Sequence, residues 1–517
     1  MSETKPDPRN SSSVGPVAGS ENSPSVGFGH EHGTTVSRTI LVGGATLVGS
    51  RAIVLLVQTG IGLVLARLLS PSDFGLVGMV TAIMNFALIF RDLGLSYATV
   101  QRADLNEQQL SNLFWLNIGF GGSATLILAA LAPVLQRFYR VDGVAVVLLT
   151  LCVAFFLNAA SVQHAALLRR RFQFRWLAIA DLLSVSGSGT IAVVMALGGF
   201  GVWSLVAQQV ARALTFLLIV VLSSGWIPAS PRRGAGTFGH LKFGSEIFAF
   251  DVINYLGQNL DKVLMGRFFG PVIVGYFTRA QELVLLPISQ IRGPMTTAAV
   301  PALASAQNNA PEYRRGFLLI SKINAVISLP FLVIAAMEAP VLVPWILGQQ
   351  WLPSVPFFQL LSLSGIPKVL VGILGTHLIA SGESRRYLLW GSWHALVLII
   401  GVVVAIPYGA TWVAVSLVVS NWLVFLPSVL YVLRHGHVRV NEFLRVCLLP
   451  MGFAAIGAGA AILARHTLGL SSVVASAVES GVFFMVYSVQ IVVDPELRLA
   501  AASAWTRVRG TCMGSPT

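Results

Sequence analysis

The chain of 517 residues is 55% hydrophobic and only 11% charged, with a formal net charge of +13 and a mean hydropathy of +0.76. Soluble globular domains carry about a quarter charged residues, so this composition excludes them and points to an all-α polytopic membrane protein. The cations sit in short clusters between apolar runs, which argues for membrane topology and against a nucleic-acid partner, and Cys152, Cys447 and Cys512 lack the paired spacing of a disulfide framework or zinc site.

Residues 1–37, rich in Ser, Gly, Pro and Asn, read as a disordered cytoplasmic tail without the basic start and apolar core of a secretory signal. His30, Glu31 and His32 within it have nothing to fix a ligand geometry, so no metal site is expected there. Neither a metal nor a cofactor is expected elsewhere. About 14 transmembrane spans follow, placed by window hydropathy at 40–69, 74–100, 110–136, 143–168, 176–198, 200–224, 241–266, 272–303, 317–343, 356–380, 386–406, 410–433, 444–464 and 471–493.

The connecting segments alternate in charge. One set carries Arg102, the run Arg169 to Arg171 with Arg175, then Arg232, Arg233, Lys242, Arg314, Arg315, Arg385, Arg386, Arg434 and Arg439. The other set is short and poor in cations. The positive-inside rule makes the first set cytoplasmic, with both termini on that side, as an even number of spans requires. Trp345 and Trp351 share one outer loop and are expected to anchor it in the headgroup layer.

A short pattern occurs twice. "ARLLSPSDFGLVG" at 66–78 and "GRFFGPVIVGYFT" at 266–278 match at Arg67, Pro71 and Gly75 against Arg267, Pro271 and Gly275. The copies close the first and seventh spans, so six spans separate them and both halves enter the membrane in the same orientation. That is a parallel two-lobe repeat, the arrangement of transporters whose substrate path lies between lobes.

The stretches "LARLLSPSDFGLVGM", "FRDLGLSYATVQRADLNEQQLSNLFWLN", "QNLDKVLMGRFFG" and "VGYFTRAQELVLLPISQIRGPMTTAAVPALA" resemble the Wzx-type lipopolysaccharide and exopolysaccharide flippases. The likeness is to the colanic-acid and xanthan exporter branch of the multidrug/oligosaccharidyl-lipid/polysaccharide exporter superfamily. It runs from about residue 38 to 435 and implies two pseudo-symmetric six-helix lobes in a V plus two C-terminal helices. The expected division is an N-terminal lobe at 38–224, a cytoplasmic linker at 225–240, a C-terminal lobe at 241–434, two further helices at 435–493 and a cytoplasmic tail at 494–517. The resemblance also implies a bacterial inner membrane and translocation of undecaprenyl-diphosphate-linked oligosaccharide to the periplasmic leaflet, with no bond broken. A coupling proton or sodium ion, and polymerase or export partners, are compatible with it.

Charges deep in spans are costly and face protein or a watery cavity. They are Arg51, Arg91, Asp92, Asp181, Arg212, Glu246, Asp251, Asp261, Lys262, Arg279, Glu282, Arg292, Lys322, Glu338 and Lys368. Arg279 and Glu282, three apart, can meet on one helix face, as a structural bridge or at a ligand. Asp261 and Lys262 fall near the outer end of their span, where the interface would hold them. Arg51, Arg212, Arg292, Lys322 and Lys368 have no neighbouring acid in sequence. This surplus suits a lipid diphosphate, whose hydration Arg and Lys donors replace. Arg51, Arg91, Arg279, Arg292 and Lys368 are therefore the candidate headgroup ligands, and Asp92 and Asp181 the candidate ion-coupling acids.

Pro287, Pro294 and Pro301 mark a span that is either statically curved or hinged. Asn85, Asn112, Asn117, Gln208, Gln209, Asn254 and Gln258 could line a sugar path or join helices. Three rivals remain: a cation-coupled drug antiporter, a peptidoglycan-precursor flippase, and a membrane-embedded polysaccharide polymerase or ligase. The surplus cations count against the first, and the outer loops of about 4–12 residues against the last.

Overall fold

The computed structural model describes residues 33–92, 106–231, 244–434, 436, 438–468 and 472–498, with side chains at 51–87, 106–231, 252–434, 436, 438–467 and 475–498. Residues 1–32 of the expected N-terminal tail, 499–517 of the expected C-terminal tail, 232–240 of the expected linker and 241–243 lie outside these residues, as do the side chains of Arg91, Asp92, Glu246 and Asp251.

Among the described residues the chain is helical throughout, apart from its connections. The α-helices are α1 (Gly33–Leu68), α2 (Pro71–Asp92), α3 (Glu107–Tyr139), α4 (Val144–Arg170), α5 (Phe174–Leu197), α6 (Val202–Ser224), α7 (Gly244–Ser305), α8 (Ala310–Leu347), α9 (Val355–Ala380), α10 (Ser384–Ala405), α11 (Ala410–Leu433), α12 (Val440–Leu468) and α13 (Ser472–Val493). Helix α1 starts at Gly33, five residues inside the expected tail. Among the described residues eleven helical segments are long and apolar enough to cross a bilayer, and α2 and α7 are not among them. Helix α7 is two spans in one path, broken at Gly270 (φ 79°, ψ −179°), a conformation open chiefly to glycine. Its halves fold back on each other: Gly266 lies against Met79 of α2, while Thr278, twelve residues on, lies against Gly78. With α2 and both halves of α7 counted, the expected number of spans is recovered.

Local sequence explains the ends. Asn106 starts α3 through a capping box in which its side chain accepts from the Gln109 amide at 2.8 Å and the Gln109 side chain accepts from the Asn106 amide at 3.1 Å. Large apolar side chains such as Leu126, Ile127, Leu222 and Leu423 remain exposed on the outside, which only a lipid environment makes favourable.

The two lobes have matching neighbours. In the first, α1 packs on α5, α3 on α4, α4 on α6 and α5 on α6, with α2 against α3, α4 and α6. In the second, α7 packs on α10, α8 on α9, α9 on α11 and α10 on α11. The first half of α7 takes the place of α1, through Gly257 against Ala395. The second half takes that of α2, through Leu303 against Gly316 of α8 and Ile288 against Gly365 of α9. Helices α12 and α13 pair with each other and dock on α8. Along that seam Lys322 binds Asp494 at 2.7 Å and Glu496 at 2.8 Å, and the Tyr487 hydroxyl donates to the Val326 carbonyl. Burial pushes the Asp494 carboxyl up, but the Lys322 ammonium and the Leu497 and Glu496 amides outweigh it and hold it below the usual carboxylate range.

Candidate functional site

The duplicated pattern forms the junction of the lobes. A Cβ on Gly75 would fall 1.6 Å from the Pro271 carbonyl oxygen, and one on Gly275 would fall 1.9 Å from the Pro71 oxygen. The corners of α2 and α7 thus touch backbone to backbone, reciprocally, and only glycine permits the approach.

A second reciprocal contact sits beside it. The last carbonyls of any helix lack intrahelical donors. Here the Trp351 indole N–H donates to the Ala66 carbonyl at 2.8 Å, and the Gln350 amide donates to Ala66 at 2.7 Å and Leu69 at 3.2 Å, capping the end of α1. In return the Arg67 guanidinium donates to the Trp345 and Ile346 carbonyls, capping α8. Trp351 is fully buried, with its ring edge to face with Phe74 at 5.6 Å and Tyr276 at 5.9 Å. It is therefore a plug between lobes and not the headgroup anchor expected from its loop. Trp345, 73% exposed, does face outward. Each lobe supplies the donors that finish a helix of the other, so this end of the bundle is closed.

Below the seal Arg279 of α7 reaches the first lobe. Its guanidinium carbon stands 3.7 Å from the centre of the Phe74 ring, and its Nη1 holds Glu282 at 2.8 Å. The sequence neighbours Arg279 and Glu282 do meet on one face, with the cation stacked across the lobe boundary.

Equivalent helices in the two lobes enclose different spaces. In the first lobe α2, α4, α5 and α6 surround a cavity of about 420 Å³ whose polar lining is Thr81, Asn85, Asn158, Asp181, Gln209 and Arg212, with Phe155 and Phe216 as apolar walls. Arg212, Arg169 and Arg51 are within electrostatic reach of the Asp181 carboxylate. Amides that both donate and accept, beside aromatic faces, suit a hydroxyl-rich ligand.

In the second lobe the pocket among α7, α9, α10 and α11 holds only about 50 Å³ and is lined by Asp261, Gln281, Ser364, Lys368 and Asn421. Asp261 is 5% exposed and accepts from the Lys262 amide at 2.7 Å and from the Gln281 side chain. Asn421 donates to Ser364 Oγ at 3.0 Å and meets His394 Nε2 at 3.2 Å. Lys368 has Asp261, Arg292 and Lys262 as its charged neighbours, and the Arg292 guanidinium lies against Gly372.

Arg292 and Lys368 are thus brought together, with Asp261 as the acid near Lys368. Arg51 belongs with Asp181 and Arg212, and Arg279 stands apart under the seal. Arg91 and Asp92 fall on α2 with side chains outside the described residues. Four of the cations without a sequence neighbour find acids in space: Lys368 near Asp261, Arg212 and Arg51 near Asp181, and Lys322 between Asp494 and Glu496. Asp261 is buried in the lobe and not held in the interface as expected, because α7 turns at Gly270 and aims this face at α9. Sequence reading missed Gln350 and Trp351 as cross-lobe donors. Nothing local distinguishes them from any polar outer loop.

The model for the polysaccharide biosynthesis protein family matches residues 64–356. The chain is 28% identical over 359 residues to the teichuronic acid biosynthesis protein TuaB of Bacillus subtilis, covering 68% of this chain and 74% of the relative. It is 24% identical over 377 residues to the succinoglycan biosynthesis transport protein ExoT of Rhizobium meliloti, covering 70% and 75%. The fold is similar to that of the lipid II flippase MurJ in its inward closed conformation, with a TM-score of 0.69 and 12% identity over 86% of this chain and 98% of that one.

Proposed function

The chain belongs to the polysaccharide biosynthesis protein family, and from that premise we propose that it is a flippase for isoprenoid-diphosphate-linked oligosaccharide. It works in a bacterial inner membrane with both termini cytoplasmic, and carries its substrate to the outer leaflet by alternating access. One observation carries the reading: a corner sealed by reciprocal helix capping, with a cavity behind it lined by amides and the charged Asp181 and Arg212. A closed outer end and a polar interior are what a substrate entering from the cytoplasmic leaflet requires.

In this reading the lobes at 38–224 and 241–434 rock about the Gly75–Pro271 and Gly275–Pro71 contacts. Arg51, Arg91, Arg279, Arg292 and Lys368 bind the diphosphate, replacing its lost hydration with charge-assisted donors. The cavity around Asn85, Asn158 and Gln209 takes sugar hydroxyls. Asp92 and Asp181 are the acids available to a coupling proton or sodium ion. Opening outward breaks the Trp351, Gln350 and Arg67 bonds together and exposes the headgroup to the periplasm, where a polymerase or export machine would receive it.

The test is transbilayer movement of an isoprenoid-diphosphate oligosaccharide in proteoliposomes containing only this protein, read by an external lectin or glycosidase. Protein-dependent movement that falls about tenfold or more in Arg279→Ala or Arg292→Ala supports both the transport and the cation assignments. Absence of movement, together with efflux of a cationic dye down an imposed ion gradient, would replace the reading with a drug antiporter.

A further inference from the structure

A buried acidic pair lies outside both the seal and the lobe cavities, where α12 and α13 dock on α8. Glu338 of α8 is 4% exposed and Glu479 of α13 is 2% exposed. Arg465, at the end of α12 and half-exposed, reaches Glu479 with its Nη1 3.3 Å from Oε1. Both oxygens of Glu338 are buried without a hydrogen-bond partner of ordinary geometry among the described residues. The groups facing it are the Ser476 hydroxyl and the Glu479 carboxyl.

The charges do not balance. Two carboxylates against one guanidinium would leave a net negative charge in a helix seam at membrane depth, which proteins avoid. Among the described residues no other charge near the pair corrects this. Lys322 is engaged by Asp494 and Glu496, sixteen residues back along α8. Arg67 is bound to the Trp345 and Ile346 carbonyls at the C-terminal end of α8. Lys368, the cation that α9 carries, lies with Asp261.

We propose that Glu338 and Glu479 form a proton-binding site in which one proton is held between the two carboxyls, with Glu338 as donor and the Arg465-paired Glu479 as acceptor. The proton supplies the hydrogen bond that joins the two carboxyls, beside the Ser476 hydroxyl that also faces Glu338. It enters and leaves on the Arg465 side, the part of the cluster open to solvent. When it leaves to water, the seam gains an uncompensated carboxylate and the grip of α12 and α13 on α8 weakens. The site does not depend on the transport reading.

Infrared spectroscopy of the full-length protein in lipid bilayers tests it through the C=O stretch of protonated carboxyls. At neutral pH the native protein should show such a band that Glu338→Gln removes. Glu479→Gln should remove it too, since Arg465 then pairs with an ionised Glu338. Asp181→Asn should leave this component in place. A spectrum unchanged in both glutamine variants would overturn the proposal. Loss of the band in native protein when sodium replaces choline at constant pH would also overturn it, in favour of a bound cation. Thermal melting offers a second reading on the same protein: native melting should fall as pH rises above neutral, while Glu338→Gln, which keeps a donor without the proton, should be flat. A native profile equally flat would count against the site.

Discussion

In the first lobe the space among α2, α4, α5 and α6 is a polar cavity of about 420 Å³. In the second, the space among α7, α9, α10 and α11 has closed to about 50 Å³ around Asp261 and Lys368. The helices correspond and the neighbours match, so the difference lies in side chains. Asp181 and Arg212 stand at the open cavity, both exposed, with water to screen them. Asp261 is buried and Lys368 partly so, with the Gln281, Ser364 and Asn421 side chains filling what remains. Duplication thus made one lobe a container and the other a braced wall. A path between lobes is served by that asymmetry, since the mobile ligand needs space on one side and fixed charge on the other.

The sharpest test concerns what the lobes share. Gly75→Ala and Gly275→Ala should each prevent the lobes from meeting, with losses beyond the roughly 3 kcal/mol that ends the usual overpacking range, because a backbone carbonyl cannot step aside. Gly60→Ala, with nothing within 4 Å of the new carbon, should leave melting unchanged or slightly raised. Equal tolerance at Gly75 and Gly60 in a thermal-shift measurement would remove the reciprocal contact.

The next effect divides the lobes. Lys368→Met, which removes one of the two cations facing the buried Asp261 and leaves Lys262, should destabilise by about 3 kcal/mol or less, and Lys368→Met with Asp261→Leu should recover part of that. Asp181→Asn in the screened cavity should change stability by about 1 kcal/mol or less, its effect appearing in transport instead. If both acids prove equally structural in denaturation, the contrast between container and wall fails.

Smaller still is Trp351→Phe, which keeps the plug but removes the indole N–H from Ala66; about 1 kcal/mol of the closed state should go. A spin-label pair across the corner should then report a larger open fraction. An unchanged distance distribution would make the capping bonds incidental.

The smallest effect is acid sensitivity at the α8–α13 seam. Because Asp494 is held below its unfolded value of about 3.9, its contribution is complete above that value and is lost as pH falls through the folded one. Lys322→Met should flatten the acid limb of the melting curve below about pH 4, and a limb of the same steepness in the variant would assign it elsewhere.

Much of this was legible in the chain. Length and apolarity of the runs marked the spans, since a helix that crosses lipid must satisfy its own backbone and present apolar side chains. The Arg, Pro and Gly repeat marked where the lobes begin to correspond. Gly75 and Gly275 needed no partner to be noticed, only the regularity of their placement. The proximity of Lys368 to Asp261 and the ion pair of Lys322 with Asp494 could not be read, because each joins residues more than a hundred positions apart.

Hydropathy, charge alternation and repetition are properties of residues along a line, and they suffice to mark a two-lobe helical membrane protein with cations inside it. Which charges neutralise one another, which tryptophan plugs the corner and which lobe keeps its cavity were decided only by tertiary structure. Burial and pairing depend on what a second helix brings to the same point in space, and no one-dimensional pattern records that.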